Sequence, residues 1–514
     1  MKDFLIEYGY LLNEMQHDSS SWGNIRKLRV FSPNGAVFLI AYEVEKENTD
    51  DISSIYERTR QERDEFCSLL LIWHKGSFKC YSKNLKNRQY TLLRNMVPYS
   101  SRTSGIMPFT AKIESGYFEN VFFEAHSFLR DLDGLHPDEA LDELCKLIYA
   151  KLYDEESGTN IFSSITGNAE EYAASIRYLY STANQYDMRV YALKIPGYKR
   201  SRGVFEEPVF ISSNAIAKVG KLFSKFNFST ADIDFKARAF QNVYKPATRA
   251  GMGQYFTPLQ VIRFIVSCME PGLSDLIIDP FAGSAHFLTE SLSYVLPSEQ
   301  NEKARSEFVF YKLHGIEKSE RMVRIAMTDM RLHGDGHSNI RCTDALLPFD
   351  SYTDLNSDSF DLVMTNPPFG SVLQKESYSY LGDFELLKGK SKVPLEVLGL
   401  ERSIQLLRDG GRIAIVLPES IFVNKSYAYV RNWLQKNVRI RGIISLPLST
   451  FVPFGASIKT SILIATKARV TENYRIFTGI IEDIGFDSKG NDTKKPDWPD
   501  VAHAFKDFIA GEGW

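Results

Sequence analysis

From about residue 257 onward, short apolar runs alternate with stretches of helical character, and no other feature narrows the possible folds as much. The runs are "DLIIDP", "KLHGIEK", "IRCTDAL", "DLVMTNPPF", "GRIAIVLPE", "IRGIISLP" and "TSILIATK". Strands this apolar are buried on both faces, and the intervening helices supply the cover, so the pattern predicts an α/β fold with a parallel, doubly wound sheet. Ligands of such sheets sit beyond the carboxyl ends of the strands. Those ends carry Asp279, Glu317, Asp344 and Asn366, four polar residues placed alike.

The run "DLVMTNPPFG", residues 361–370, stops most abruptly. Pro367 and Pro368 have no N–H to give to a ladder, and Pro368 pushes Pro367 towards an extended conformation. The chain leaves the sheet with an amide at Asn366, an unclaimed carbonyl at Pro367 and a ring at Phe369, the parts of a clamp for a planar group bearing an NH2. A rigid corner that merely ends a sheet edge is the plainer alternative. In "DPFAGSAHFLTE" a strand ends in Asp279, and a turn at Gly283 and Ser284 opens a helix whose N-terminus offers unpaired N–H groups. A dinucleotide site would want GxGxxG and an acid about 20 residues on. Here there is one glycine and Glu317 lies well beyond that, so a nucleoside without a pyrophosphate fits better. Glu317 can accept from both ribose hydroxyls, and Asp344 in "CTDALLP" from an adenine amine. Each acid alone serves equally well as a helix cap; all three in register with the corner favour a ligand. In "GMGQYFTP", Gly251 and Gly253 make a flexible approach, two aromatics can wall a nucleoside or fill the core, and Thr257-Pro258 reads as N-cap and N1 of the next helix.

An exocyclic adenine amine is a poor nucleophile because its lone pair is delocalised into the ring. Two acceptors, the Asn366 side-chain oxygen and the Pro367 carbonyl, would draw its nitrogen towards a tetrahedral form and aim the lone pair at an activated methyl group. Phe369 would stack on the base. A target inside a duplex would first have to leave the stack.

"GQYFTP", "DPFAGSAHF" and "NPPF", in that order, resemble the DNA adenine-N6 methyltransferases of the modification (M) subunits of type I restriction–modification systems. The resemblance runs from roughly residue 125 to 490 and takes in "STADIDFKARAFQNVY", "PLEVLGLERSIQLLRDGGRIAIVLPE" and "LPLSTFVPFGASIKTSILI". It implies a Rossmann-like methyltransferase domain, S-adenosylmethionine as cofactor and double-stranded DNA as substrate. It also implies roles: Gln254, Tyr255, Phe256, Thr257 and Pro258 bind the cofactor from above, and Asp279, Gly283, Ser284, Ala285 and His286 hold its methionine end. Glu317 takes the ribose and Asp344 with Ala345 the adenine ring, while Asn366, Pro367, Pro368 and Phe369 form the catalytic corner. The family usually carries glycine where Ala285 stands, and an extra methyl there would crowd the cofactor's amino-acid end. Methylation of RNA or of a protein glutamine could use the same corner, and a non-catalytic nucleic-acid-binding scaffold is the reading from another class.

Four regions are expected. Residues 1–120 form a small α/β domain, with "KLRVFSPNGAVFLIAYEVEK" as two strands about Pro33-Asn34-Gly35, a polar helix, then an apolar strand and a basic, aromatic stretch. Glu43, Glu45 and Lys46 faintly resemble the ExK element of restriction-type nucleases. The preceding strand offers no further acid for a metal, so a charged strand end or a degenerate nuclease-like module is expected rather than an active cutter. Residues 121–248 are helical, with Leu141, Leu144, Cys145, Ile148 and Leu152 at helical spacing. Residues 249–470 form the methyltransferase domain and 471–514 a tail with a short helix. That tail leaves no room for a target-recognition domain, so a separate specificity subunit, and possibly a restriction subunit, is expected as partner. The polar segment "GSVLQKESYSYLGDFELLKGKSKVP" reads as a surface loop.

Composition limits the rest. The net charge of −3 argues against a chain that coats nucleic acid by charge alone, without excluding a local basic groove. Five scattered cysteines with no CxxC pair argue against a disulfide framework or a zinc site and fit a reducing cytoplasm. His286 has no partner at metal-ligand spacing. "MKDFLIEYGY" has no signal-peptide pattern, and no apolar run approaches the roughly 18 residues of a membrane span.

Overall fold

The computed structural model describes strand backbone between residues 15 and 93, then 120–164, 168–191, 207–229, helical positions 236, 239, 240 and 243, and 256–514 apart from 300, 335–338, 470–472 and 494. The chain divides into two compact units. One comprises Met1–Tyr117, Leu147–Tyr180 and Ser212–Asp232; the other comprises Phe118–Lys146, Ser181–Ile211 and Ile233–Trp514.

In the first unit six strands follow chain order: β1 (Met15–His17), β2 (Ile25–Phe31), β3 (Val37–Val44), β4 (Leu69–His74), β5 (Ser77–Lys83) and β6 (Tyr90–Leu93). Neighbours are antiparallel except β3 and β4. The two strands expected about Pro33-Asn34-Gly35 are β2 and β3, paired with Leu28 opposite Ala41. That turn, the polar helix after it, Glu45 and Lys46 lie outside the described residues. Elsewhere in this unit two buried acids pin loops rather than ligands. Asp154 accepts from the N–H groups of Ile161 at 2.8 Å and Phe162 at 3.0 Å. Glu155 accepts from those of Phe228 at 2.9 Å and Ser229 at 2.7 Å.

The second unit is built on eight strands. They are β7 (Ile277–Asp279), β8 (Leu313–Glu317), β9 (Ile340–Cys342), β10 (Phe360–Thr365), β13 (Leu407–Pro418), β14 (Val438–Ser445), β15 (Thr460–Lys467) and β16 (Phe477–Ile480). Their order is β16-β14-β15-β13-β10-β7-β8-β9. Only β15 runs against its neighbours within this sheet. All seven apolar runs are strands of this sheet. The eighth, β16, escapes a pattern search because it is a four-residue edge strand with alternate residues exposed. Strand order reverses between β7 and β10, which opens a crevice beyond their carboxyl ends. Ile278, Val363, Ile413, Ile415 and Leu463 are fully buried in one core cluster beneath it. Among the described residues no helix is long and apolar enough to cross a membrane.

The segment after "NPPF" is less loop-like than its polarity predicts. It forms a small antiparallel pair, β11 (Val372–Gln374) with β12 (Lys392–Pro394), and sends Leu381, Phe384 and Leu386 into the core. The helix Leu395–Leu406 explains this. Its buried Glu401 accepts the N–H groups of Glu385 and Leu386, and its buried Arg402 lies over the rings of Phe349, at 4.3 Å, and Phe384, at 4.9 Å. Such cation–ring stacking is stronger away from water.

A buried ion pair ties the helix Glu320–Leu332 to residues 138–146. Arg324 donates from Nε to Asp142 Oδ1 at 2.7 Å and from Nη2 to Oδ2 at 2.8 Å, and its Nη2 also lies 2.6 Å from Glu207. Removing Asp142 leaves the buried Arg324 with only Glu207, whose side chain is 43% exposed. Asp142→Ala should therefore cost about 3 kcal/mol of stability, and the double change with Arg324→Met clearly less. Urea denaturation of the three proteins measures this; equal losses for the single and the double change would contradict it.

Candidate active site

At the switch point one buried carboxylate joins the two strand ends. Thr365, the last residue of β10, donates from its hydroxyl to Asp279 Oδ1 at 2.6 Å, and the N–H of Phe281 donates to the same oxygen at 3.1 Å. Asp279 is 1% exposed. Burial pushes its pKa up to about 7; the two hydrogen bonds work against that, and the charge of Glu317 adds to it.

The turn after β7 depends on left-handed backbone. Gly283 has φ +52°, and a Cβ there would meet nothing within 4 Å. Its N–H donates to Glu317 Oε2 at 3.1 Å, while Glu317 Oε1 accepts from Ser319 N–H at 2.7 Å. Burial nonetheless raises the Glu317 pKa. Ala285 is also left-handed, at φ 64° and ψ 21°, immediately before the helix His286–Val295. Its methyl is buried, and its backbone angle is one at which glycine would be at ease.

These elements line an open pocket at the switch point. Of the residues named from the sequence, Phe256, Thr257, Asp279, Gly283, Ser284, His286 and Asn366 line it. Gln254 and Tyr255 lie outside the described residues. Asp344 stands just past β9, its oxygens held by Leu346 N–H at 3.0 Å and Lys318 Nζ at 2.8 Å, with Ala345 buried beside it. Pro258, not Thr257, is the N-cap of the helix Leu259–Met269, and the Thr257 hydroxyl turns elsewhere.

It is used by the corner. Asn366 Nδ2 donates to Thr257 Oγ1 at 2.9 Å, and Asn366 Oδ1 is buried without a hydrogen-bond partner. Pro367 is buried and Pro368 exposed. A Cβ on Gly399 would come within 2.7 Å of Pro367 Cβ and 3.1 Å of the Phe281 ring, so glycine permits the helix Leu395–Leu406 to press against the corner. Phe369 is 5% exposed and packs edge-on against Phe451, with ring centres 6.0 Å apart.

Several groups were not singled out in the sequence. Phe281 and Met322 line the pocket, the first inside a named motif and the second signalled only by its place after Glu317. Glu396 is buried beside the corner, where the Gly370 N–H holds it; burial raises its pKa and Oε2 has no partner. Behind the pocket, fully buried Asp329 lies 3.7 Å from His286 Nε2 and 3.3 Å from His333 Nδ1. Burial lowers the His286 pKa. It acts likewise on His333, but there the Asp329 charge and hydrogen bonds prevail and the pKa rises. Asp329 and His333 are one helical turn apart, while His286 comes from a distant helix, so no motif announces the three together.

The model of the N-6 DNA Methylase family matches residues 239–508. The methylase subunit of the type I restriction enzyme EcoEI of Escherichia coli is 27% identical over 292 residues, 54% of this chain and 58% of that protein. The type II restriction enzyme and methyltransferase RM.BcgI of Heyndrickxia coagulans is 25% identical over 261 residues, 50% of this chain and 38% of its own. The chain thus spans about half the length of the curated relatives it matches. Among solved structures, the methyltransferase subunit of a type I restriction–modification system from Streptococcus thermophilus shares the fold. It has a TM-score of 0.55 at 17% identity, over 77% of this chain and 93% of that one.

Two outcomes follow from the turn and its carboxylate. Ala285→Gly relieves left-handed strain at some cost in unfolded-state entropy, and should raise stability by about 0.5 kcal/mol or more. A lowered melting temperature would contradict it. Asp279 holds its proton in the folded chain up to about pH 7, whereas the unfolded chain loses it near pH 4. Folding is therefore favoured at low pH, and this contribution falls by roughly 4 kcal/mol as pH rises through that window. Asn keeps both acceptor bonds without the charge. Melting curves of Asp279→Asn and wild type should lie closest near pH 4 and diverge above pH 7, the variant being more stable; parallel profiles would refute the assignment.

Proposed function

Because the chain belongs to the N-6 DNA methylase family, we propose that it transfers the methyl group of S-adenosylmethionine to the N6 amine of adenine in duplex DNA. We place it as the modification subunit of a restriction–modification-type system in the cytoplasm, reading its target through a separate specificity subunit. The observation that carries this is the buried, unpartnered Oδ1 of Asn366. A buried acceptor left unmade costs on the order of 1–3 kcal/mol, which is tolerable where a ligand completes it.

The residues present fit the cofactor. Glu317 accepts from the backbone N–H groups of Gly283, Ser319 and Lys318, which leaves acceptor capacity for a ribose hydroxyl. Asp279, and the N-terminus of the helix His286–Val295 behind Gly283 and Ser284, would take the amino-acid end, and Phe256 with Thr257 would close the pocket. When bound, S-adenosylmethionine supplies an electrophilic methyl group. The chain's own part is to hold the amine: Asn366 Oδ1 and the Pro367 carbonyl accept its two hydrogens, so the nitrogen's lone pair turns out of the ring plane. Gly399 and Thr365 fix where those acceptors stand. Fixed acceptors act without reorganising at the moment of reaction. The methylase subunits among the relatives support a partnered assembly.

Asn366→Ala should lower transfer of labelled methyl to duplex DNA by at least about 10²-fold, with affinity for S-adenosylmethionine in calorimetry kept within about threefold. Retained turnover would sink the role. Preferential labelling of RNA or protein would redirect the substrate, and absence of cofactor binding by wild type would leave the scaffold reading.

A further inference from the structure

We propose that Thr257 is a positioning residue for Asn366, setting which end of its amide faces the target amine. This rests on the methyl-transfer reading. A side-chain amide is nearly symmetric in shape, so packing alone barely distinguishes oxygen from nitrogen; hydrogen bonding does. Only one orientation is useful. With Oδ1 outward the amide accepts from the amine, and with Nδ2 outward it presents a donor to a donor. In the structure Nδ2 is turned to the Thr257 hydroxyl at 2.9 Å, and Oδ1 is left without a partner. Both side chains line the same pocket.

Thr257 is not spent on its own helix, whose N-cap is Pro258. Its hydroxyl has two acceptor lone pairs and one hydrogen. While that hydrogen is uncommitted, the hydroxyl can also donate, and both amide orientations are satisfied. Once the hydrogen is given to an acceptor within the pocket, the hydroxyl can only accept from Asn366, and the flipped amide loses its bond. A ligand bringing an anionic or carbonyl oxygen to Thr257 therefore fixes the clamp in its productive sense. Thr257 thus links occupation of the pocket to readiness of the corner.

The test uses the full chain as wild type, Thr257→Val (same shape, no hydroxyl), Thr257→Ser and Asn366→Ala. In protein labelled with 15N-asparagine, the Asn366 side-chain signals are those missing from Asn366→Ala. Their hydrogen exchange should slow when S-adenosylmethionine is added to wild type and Thr257→Ser. In Thr257→Val they should exchange roughly tenfold faster and not respond to the cofactor. Cofactor affinity by calorimetry should fall in Thr257→Val by about one hydrogen bond's worth, up to roughly tenfold, while at saturating cofactor the rate of methyl transfer to duplex DNA falls a further tenfold or so and recovers in Thr257→Ser. Amide signals identical in wild type and Thr257→Val overturn the inference, as does a serine variant behaving like valine. Should valine not fold, Thr257→Ala replaces it on the same criteria. If Asn366→Ala still turns over, the methyl-transfer reading fails whatever Thr257 does. If Asn366→Ala is dead while Thr257→Val works normally, only the positioning role fails.

Discussion

The short hydrogen bond between Thr365 and Asp279 holds the site together. It joins the carboxyl ends of β7 and β10, the two strands between which the sheet order reverses, through groups that are both buried. The same Asp279 oxygen fixes the first turn of the glycine loop through Phe281, and Asn366 follows Thr365 directly. Loop and corner are thus referred to one atom. A buried carboxylate is an expensive fastener, as its raised pKa records, and it is retained because no apolar pair could direct two backbones so specifically.

The sheet was legible because its strands are apolar on both faces, and such a pattern has few alternatives. Ile277, Ile278, Leu362 and Val363 have nowhere to go but between helices. The strand-end residues were legible for the same reason: a polar residue after a buried run marks where the chain emerges. Asp279, Glu317 and Asn366 could therefore be read by position, before their bonds were known. The Asn366 corner was legible in more detail, since two prolines leave the backbone little choice.

What stayed hidden is long-range or local to one backbone angle. Nothing near "LERS" says that Arg402 will lie over Phe349 and Phe384, so a polar segment that is anchored in the core reads as a loop. Asp329 meets His333 one helical turn on, but meets His286 only after two helices are packed. The N-cap was misplaced by one residue because capping preference ranks Thr above Pro, whereas here the hydroxyl has a stronger use across the pocket. Ala285 shows another limit: its left-handed backbone, φ 64°, is not announced by its residue type.

These hidden parts share a direction. Gly399 lets a helix press on Pro367, Glu396 holds Gly370 just past Phe369, and Thr257 holds the Asn366 amide. Two of them, Gly399 and Glu396, act on the corner from one helix and Thr257 acts from the segment before another, and none is needed for the sheet to form. The corner is held by two elements while its acceptor oxygen is left without a partner. A fold selected for stability alone would have paired that oxygen or replaced the amide with an apolar side chain, since an unmade buried bond lowers stability. Rigid support around one unsatisfied atom is instead what a site needs when its task is to grip two hydrogens of an incoming amine in fixed geometry.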